Sequence, residues 1–154
     1  MLSSGLPERV SCWSTTTRAT SSRWRWDRTP TGRLRPHAVH MSGRRVYAWC
    51  AEDTMLFPIV MGQQRAEVIA VCPVTRRIIT LTVTPTGVED LDPPTAQMTL
   101  APIHGRDIRE EFCDRVVFTA DAAAAEAFIG DDQELVYMPA HEGFGVARSL
   151  SEMF

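Results

Sequence analysis

Two stretches rich in β-branched residues stand only four residues apart. They are Ala66-Glu67-Val68-Ile69-Ala70-Val71-Cys72 and Arg77-Ile78-Ile79-Thr80-Leu81-Thr82-Val83-Thr84, joined by the turn Pro73-Val74-Thr75-Arg76. Such side chains suit a pleated, half-buried surface, and both runs alternate in part. A connection this short returns the chain antiparallel, because a parallel crossover takes a dozen or more residues. Other segments follow suit. His37 to Met41 and Arg45 to Trp49 flank Ser42-Gly43, a hairpin signal. Gly87 to Leu91 and Ala96 to Leu100 read as short strands on either side of Pro93-Pro94, and Glu134 to Met138 as a last strand. Cys113 to Thr119, rich in valine and phenylalanine, reads as a buried strand.

Helices are fewer. Ala51 to Met61 reads as a short helix or irregular turn interrupted at Pro58. Asp107 to Phe112 suits one helical turn. Asp121 is a good N-cap for Ala122 to Ile129, with Gly130 as the stop. Ala140 to Met153 reads as a closing helix that Gly143 and Gly145 weaken. The expected class is α+β: a mostly antiparallel β-sheet meander with a few packed helices.

A chain of 154 residues is long enough for one domain with a real core. Its charge is unevenly spread. Residues 1 to 45 carry nine arginines against two acids, and the rest carry seven arginines against seventeen acids, with no lysine anywhere. Residues 1–35 form an irregular basic N-terminal segment without helical or strand period, and 36–154 the patterned domain. No secretory signature opens the chain and no run approaches the ~18 to 20 apolar residues of a membrane span, so a cytoplasmic protein without a membrane partner is the expectation. Cys12, Cys50, Cys72 and Cys113 are too few and too scattered for a disulfide scaffold, and in a reducing cytosol they are free thiols.

Chemistry concentrates around Tyr47-Ala48-Trp49-Cys50-Ala51-Glu52-Asp53-Thr54-Met55-Leu56-Phe57-Pro58. Cys50 follows an expected strand and opens an expected helix, where the backbone dipole lowers a thiol's pKa. Asp53, three residues on, shares its helical face. Two plainer readings stand beside this one: a buried structural cysteine, and an ordinary first-turn helix acid. Cys113, among Phe112, Val116, Val117 and Phe118, equally suits a core cysteine. Cys72 reads as structural and Cys12 as without a role. His37, His40, His104 and His141 are not spaced as zinc ligands around the cysteines, and no local nucleophile–histidine pair supports a hydrolase.

The Tyr47–Pro58 motif closely resembles the organomercurial (alkylmercury) lyase family. The resemblance runs on through Cys72-Pro73, Ile79 to Pro85, Asp107 to Cys113, Phe118-Thr119-Ala120 and Ala140 to Gly145, covering roughly residues 36 to 150. It implies an alkylmercury-lyase-like core whose catalytic set, two cysteines and one aspartate, falls on Cys50, Cys113 and Asp53. It leaves Cys72 to structure. It implies protonolysis of a carbon–mercury bond, giving a hydrocarbon and Hg(II) held by the thiolates, in mercury detoxification. No cofactor is implied. The implied partners are an organomercury substrate, small cytosolic thiols and a mercuric reductase as Hg(II) acceptor. The chain departs from the family in two places: an arginine-rich segment stands where relatives have a helical one, as a shortened or aberrant N-terminus, and Asp114 follows Cys113 where some relatives have another cysteine.

Two alternatives belong to other classes. One is a non-catalytic thiolate protein binding Hg(II) or Cu(I) on the same scaffold, which has no need of Asp53. The other is a regulatory protein that binds nucleic acid through arginines interleaved with tryptophans in the N-terminal segment. The expectation is no nucleic acid partner.

Overall fold

The computed structural model of the chain describes residues 37–105, 107 and 109–154, with backbone alone at 109 and 110. The basic segment 1–35, with Cys12 and any nucleic-acid-binding arm, lies outside the described residues. The expected α+β class stands, with its strands divided between two antiparallel sheets.

The larger sheet has the order β2-β1-β3-β4-β5. Strands β1 (His37–Met41) and β2 (Arg44–Ala48) form the expected hairpin, Met41 opposite Arg44. Its two-residue loop takes positive φ at both Ser42 and Gly43, the conformation whose twist matches the flanking strands. Helix α1 (Ala51–Val60) then carries the chain over to β3 (Ala66–Val71), on the other side of β1. Strands β4 (Ile78–Thr84) and β5 (Gly87–Asp92) continue as a meander. The smaller sheet has the order β7-β6-β8, with β6 (Gln97–Leu100) between β7 (Phe118–Thr119) and β8 (Val136–Pro139). Helix α2 (Ala122–Ile129) has the expected cap, Asp121 Oδ1 accepting from the Ala124 N–H at 2.8 Å, and it stops at Gly130. A 3₁₀ turn (Ala140–Glu142) leads into α3 (Gly143–Ser151), which packs on α1. Among the described residues no helix is long and apolar enough to cross a membrane.

Three local expectations change. Helix α1 is not interrupted at Pro58 but runs on to Val60, with Pro58 buried in its last turns. Gly143 does not weaken α3; a Cβ there would press on the Met98 side chain, so the missing side chain lets the helix start lie against the core. The stretch from Cys113 to Thr119 is not one strand. Cys113 closes a π-helical turn (Arg109–Cys113), and only Phe118 and Thr119 pair with β6. The backbone between them finds other partners. The Val117 N–H donates to the Thr99 hydroxyl at 2.9 Å, that hydroxyl donates to the Arg115 carbonyl at 2.8 Å, and the Val116 carbonyl accepts from the Ala51 N–H at 3.0 Å. A segment whose polar groups are satisfied this way has no need of a ladder.

The core gathers Val39, Val68, Ile79, Leu81 and Val83 from the larger sheet, Met98 and Phe118 from the smaller, and Met55 from α1. Two ionisable side chains are buried with it. His37, 1% exposed, lies edge-on to the Phe118 ring and neither nitrogen has a hydrogen-bond partner. Burial holds it neutral, lowering its pKa from 6.5 to about 3. Glu52, also 1% exposed, has both oxygens unpartnered. Burial, and then the charge of Asp53, raise its pKa from 4.5 to about 8.

These shifts act on stability from opposite sides. The folded state binds a proton at His37 less tightly than the unfolded chain, so that contribution is present above pH 6.5 and fades as pH falls towards 3. It binds a proton at Glu52 more tightly, so that contribution is present below pH 4.5 and fades as pH rises to about 8. Thermal melts of His37→Leu are expected to recover about 2 kcal/mol of the stability that the parent loses between pH 7.5 and 5. Glu52→Gln is expected to recover about 3 kcal/mol of what the parent loses between pH 4 and 7. Parallel pH curves for parent and variants would contradict both assignments.

Candidate active site

Helix α1 begins at the end of a β-hairpin, and its cap is the first member of the site. Cys50 is the N-cap residue, with extended backbone, and its Sγ accepts from the Asp53 N–H at 3.5 Å. Serine, threonine, aspartate and asparagine usually fill this role; here a sulfur does. The same geometry brings the Asp53 side chain, one turn along, back over the thiol. The neighbouring N–H, that of Ala51, is bonded to the Val116 carbonyl, three residues beyond Cys113. Thus the helix start and the segment after the π-helical turn are held in direct contact.

The consequence is convergence. The Cys50 sulfur, the Cys113 sulfur and an Asp53 carboxylate oxygen lie within 4.8 Å of one another. Among the described residues this is the one group of three or more histidine, cysteine or acidic side chains placed to hold a metal ion. Cys50 is fully buried, Cys113 is 7% exposed, and Asp53 is half-buried. A metal–thiolate bond is about 2.3 Å long for zinc and longer for a larger ion. One soft ion therefore reaches both sulfurs across a gap of this size.

Electrostatics at the site overturn one expectation. The helix dipole was expected to lower the Cys50 pKa, yet the thiol is raised well above its ordinary value. The hydrogen bond with the Cys113 sulfur contributes most, followed by burial, then the charges of Asp53 and Cys113. The opposing bond from the Asp53 N–H is the smaller effect. A second thiol and a carboxylate in a dry site disfavour a further negative charge more than one helix end favours it. Burial also raises the Asp53 carboxyl, against hydrogen bonds from the Cys50 side chain and from the Cys50 and Trp49 backbone. The Cys50 thiol thus holds its proton tightly, and the Asp53 carboxyl takes one up more readily than an exposed aspartate does.

The remaining sequence candidates lie apart from this group. Cys72 is buried at the end of β3, where its sulfur accepts from the Thr75 N–H at 3.4 Å and so braces the β3–β4 turn. Burial acts to raise its pKa, but the Thr75 hydroxyl and the backbone of Thr75, Ala120 and Val74 outweigh it, and the net shift is downward. His104 pairs with Glu134 at 3.0 Å, His37 is in the core, and no histidine joins the sulfurs. Of the large apolar residues in the motif, Trp49 and Phe57 are 56% and 40% exposed, while Leu56 is partly buried against the core. Sequence reasoning passed over Glu52. Its place three residues before the buried Met55 was the available signal, since such spacing puts both on one helical face.

Comparison with known proteins identifies the family. Residues 31–152 match the model of the MerB family, alkylmercury lyase. The alkylmercury lyase of Pseudomonas putida is 36% identical over 117 residues, 75% of this chain and 55% of that protein. That of Staphylococcus epidermidis is 30% identical over 120 residues, 77% of this chain and 55% of that protein. That of Streptomyces lividans is 31% identical over 118 residues, 76% of this chain and 54% of that protein. The chain therefore spans about half the length of the curated relatives it matches. Among solved structures, the crystal structure of the mercury-bound form of MerB2 superposes with a TM-score of 0.68 at 14% identity, over 82% of this chain and 68% of that one, a likeness of fold. Taken with the match over residues 31–152, these relatives show that the chain belongs to the alkylmercury lyase family.

Proposed function

We propose that this chain cleaves the carbon–mercury bond of organomercury compounds by protonolysis. The observation that carries the reading is the convergence of two buried thiols and one carboxyl within 4.8 Å. Mercury(II) is a soft cation that favours thiolate over oxygen or nitrogen ligands. An R–Hg⁺ unit exchanges its ligand for one cysteine sulfur, releasing that thiol's proton. The second thiol adds to the same metal and hands its proton to Asp53. Donation from two sulfurs weakens the carbon–mercury bond, and Asp53 delivers the proton to carbon as the bond breaks. The products are R–H and Hg(II) bound by Cys50 and Cys113. Each step draws only on these three side chains and the substrate.

The raised pKa of both Cys50 and Asp53 supports this order of events, because a thiol that keeps its proton until the metal arrives and a carboxyl with raised proton affinity suit transfer from sulfur to Asp53 and on to carbon. Cys50, Cys72 and Cys113 are free thiols, which suits a reducing cytoplasm. A Hg(II) dithiolate exchanges readily with further thiolates. Small cytosolic thiols, or a mercuric reductase, then take the product.

Incubation with phenylmercury and excess thiol is expected to release benzene, measured by gas chromatography. Cys50→Ser and Cys113→Ser should abolish release. Asp53→Asn should slow it by on the order of 10² to 10⁴, the usual weight of a positioned proton donor, while Hg(II) retention survives. Retention of Hg(II) by the native chain without any hydrocarbon would select the non-catalytic binding protein instead.

Thiol titration gives a second test. Because Cys50 is raised, its thiolate fraction in the metal-free chain should climb about tenfold per pH unit through the neutral and mildly alkaline range. Alkylation of Cys50 by iodoacetamide, followed by mass spectrometry, is expected to climb with it. A rate that levels off below pH 8 would show a preformed thiolate and contradict the raised Cys50 thiol.

A further inference from the structure

A ring of polar contacts ties down the turn that carries Cys113. The His104 N–H donates to Glu111 Oε2 at 3.1 Å, and the His104 ring meets Glu134 Oε1 at 3.0 Å. From the other side the Arg115 guanidinium donates to Glu134 Oε2 at 3.1 Å and to the Glu111 carbonyl at 3.2 Å, which closes the ring. The same guanidinium takes both oxygens of Asp132, at 2.9 and 2.7 Å. Arg115 is also tied through its backbone, its N–H to the Phe112 carbonyl at 3.0 Å and its own carbonyl to the buried Thr99 hydroxyl at 2.8 Å. In the chain Cys113 stands between Glu111 and Arg115, two members of this ring.

Most exposed ion pairs contribute little to stability, and the Asp132 and Glu134 side chains are 36% and 50% exposed. A guanidinium holding two carboxylates and a carbonyl at once is nevertheless a rigid fork, and it fixes geometry more than it adds energy. The Cys113 turn needs such a fixture. It has no strand ladder of its own, and a π-helical turn is an uncommon, functionally placed irregularity.

We propose that Arg115, anchored by Asp132 and Glu134, is a positioning residue that sets the gap between the Cys113 and Cys50 sulfurs. It touches neither substrate nor metal. It holds the turn so that both sulfurs address one soft atom. This rests on the reaction proposed above for its catalytic consequence, but the gap itself can be read without mercury.

The probe is phenylarsine oxide. One arsenic bonds two thiol sulfurs, and both thiol protons leave with the arsenic-bound oxygen as water, so capture requires a correctly spaced pair. The 154-residue chain is expected to take up one equivalent at Cys50 and Cys113, seen by mass spectrometry. In Arg115→Met the apparent affinity should fall by about 10- to 100-fold, the scale of a misplacement near 1 Å. The melting temperature should move little, kcat with phenylmercury should fall alongside, and KM should change less, because one sulfur still captures substrate. Arg115→Lys should restore part of both, since a single ammonium replaces some arms of the fork. Glu134→Ala, an exposed substitution that cuts two sides of the ring, should shift capture in the same direction and decides the matter if Arg115→Met does not fold.

Unchanged arsenical capture and unchanged kcat in folded Arg115→Met, or in Glu134→Ala where Arg115→Met does not fold, would overturn the proposal. Loss of both that Arg115→Lys fails to mend would overturn the fork as its cause. If the native chain captures the arsenical yet releases no hydrocarbon, the proposed reaction falls, and the positioning role is judged on capture alone.

Discussion

A single backbone hydrogen bond, Ala51 N–H to Val116 carbonyl at 3.0 Å, joins the two parts of the chain on which the site depends. The first N–H groups of a helix have no partner within it and must find one outside. In α1 one of them finds the segment just past Cys113, and another, at Asp53, finds the Cys50 sulfur. Satisfying the helix start therefore gathers both thiols and the carboxyl as a by-product of ordinary capping. The same bond removes the Val116 carbonyl from any strand ladder, which is one reason the Cys113 segment bends instead of pairing.

Dryness follows from that arrangement and acts on the Cys50 thiol. A hydrogen bond with the Cys113 sulfur, and then burial in the core, hold the Cys50 thiol in its protonated form. The second sulfur and the nearby carboxyl oppose ionisation further. For a hard cation such a site is poor, since two of its three ligands are sulfur. For a soft cation it is favourable, because thiolate bonding replaces the protons as the metal arrives. Glu52 beside it, unpartnered and pushed up to about 8, adds another acid that stays largely protonated below that pH.

Much of the framework was legible in local residue patterns. Ser42-Gly43 specified a two-residue hairpin, and both residues take the positive φ that such a turn requires. Asp121 and Gly130 marked the ends of α2, because a carboxylate that caps and a glycine that terminates act on their immediate neighbours. Cys50 was correctly placed at a helix start for the same reason. Pro58 misled because its effect depends on where in the helix it falls and what its ring packs against. The valine- and phenylalanine-rich run after Cys113 misled because β-propensity reports burial as much as pairing; Val116 and Phe118 are indeed buried, but the backbone between them bonds to Thr99 and Ala51.

By itself, then, the order of residues determined the antiparallel α+β framework, the hairpin, the helix caps and, through the Tyr47–Pro58 motif, the family. Those features depend on turns and spacings a few residues long, which act wherever the chain is. Only the tertiary structure decided that the Cys113 sulfur, sixty-three positions from Cys50 in the sequence, stands beside it and that the Cys50 thiol holds its proton. That is a matter of solvent exclusion and of charges brought close by packing, and neither quantity exists until the two segments meet.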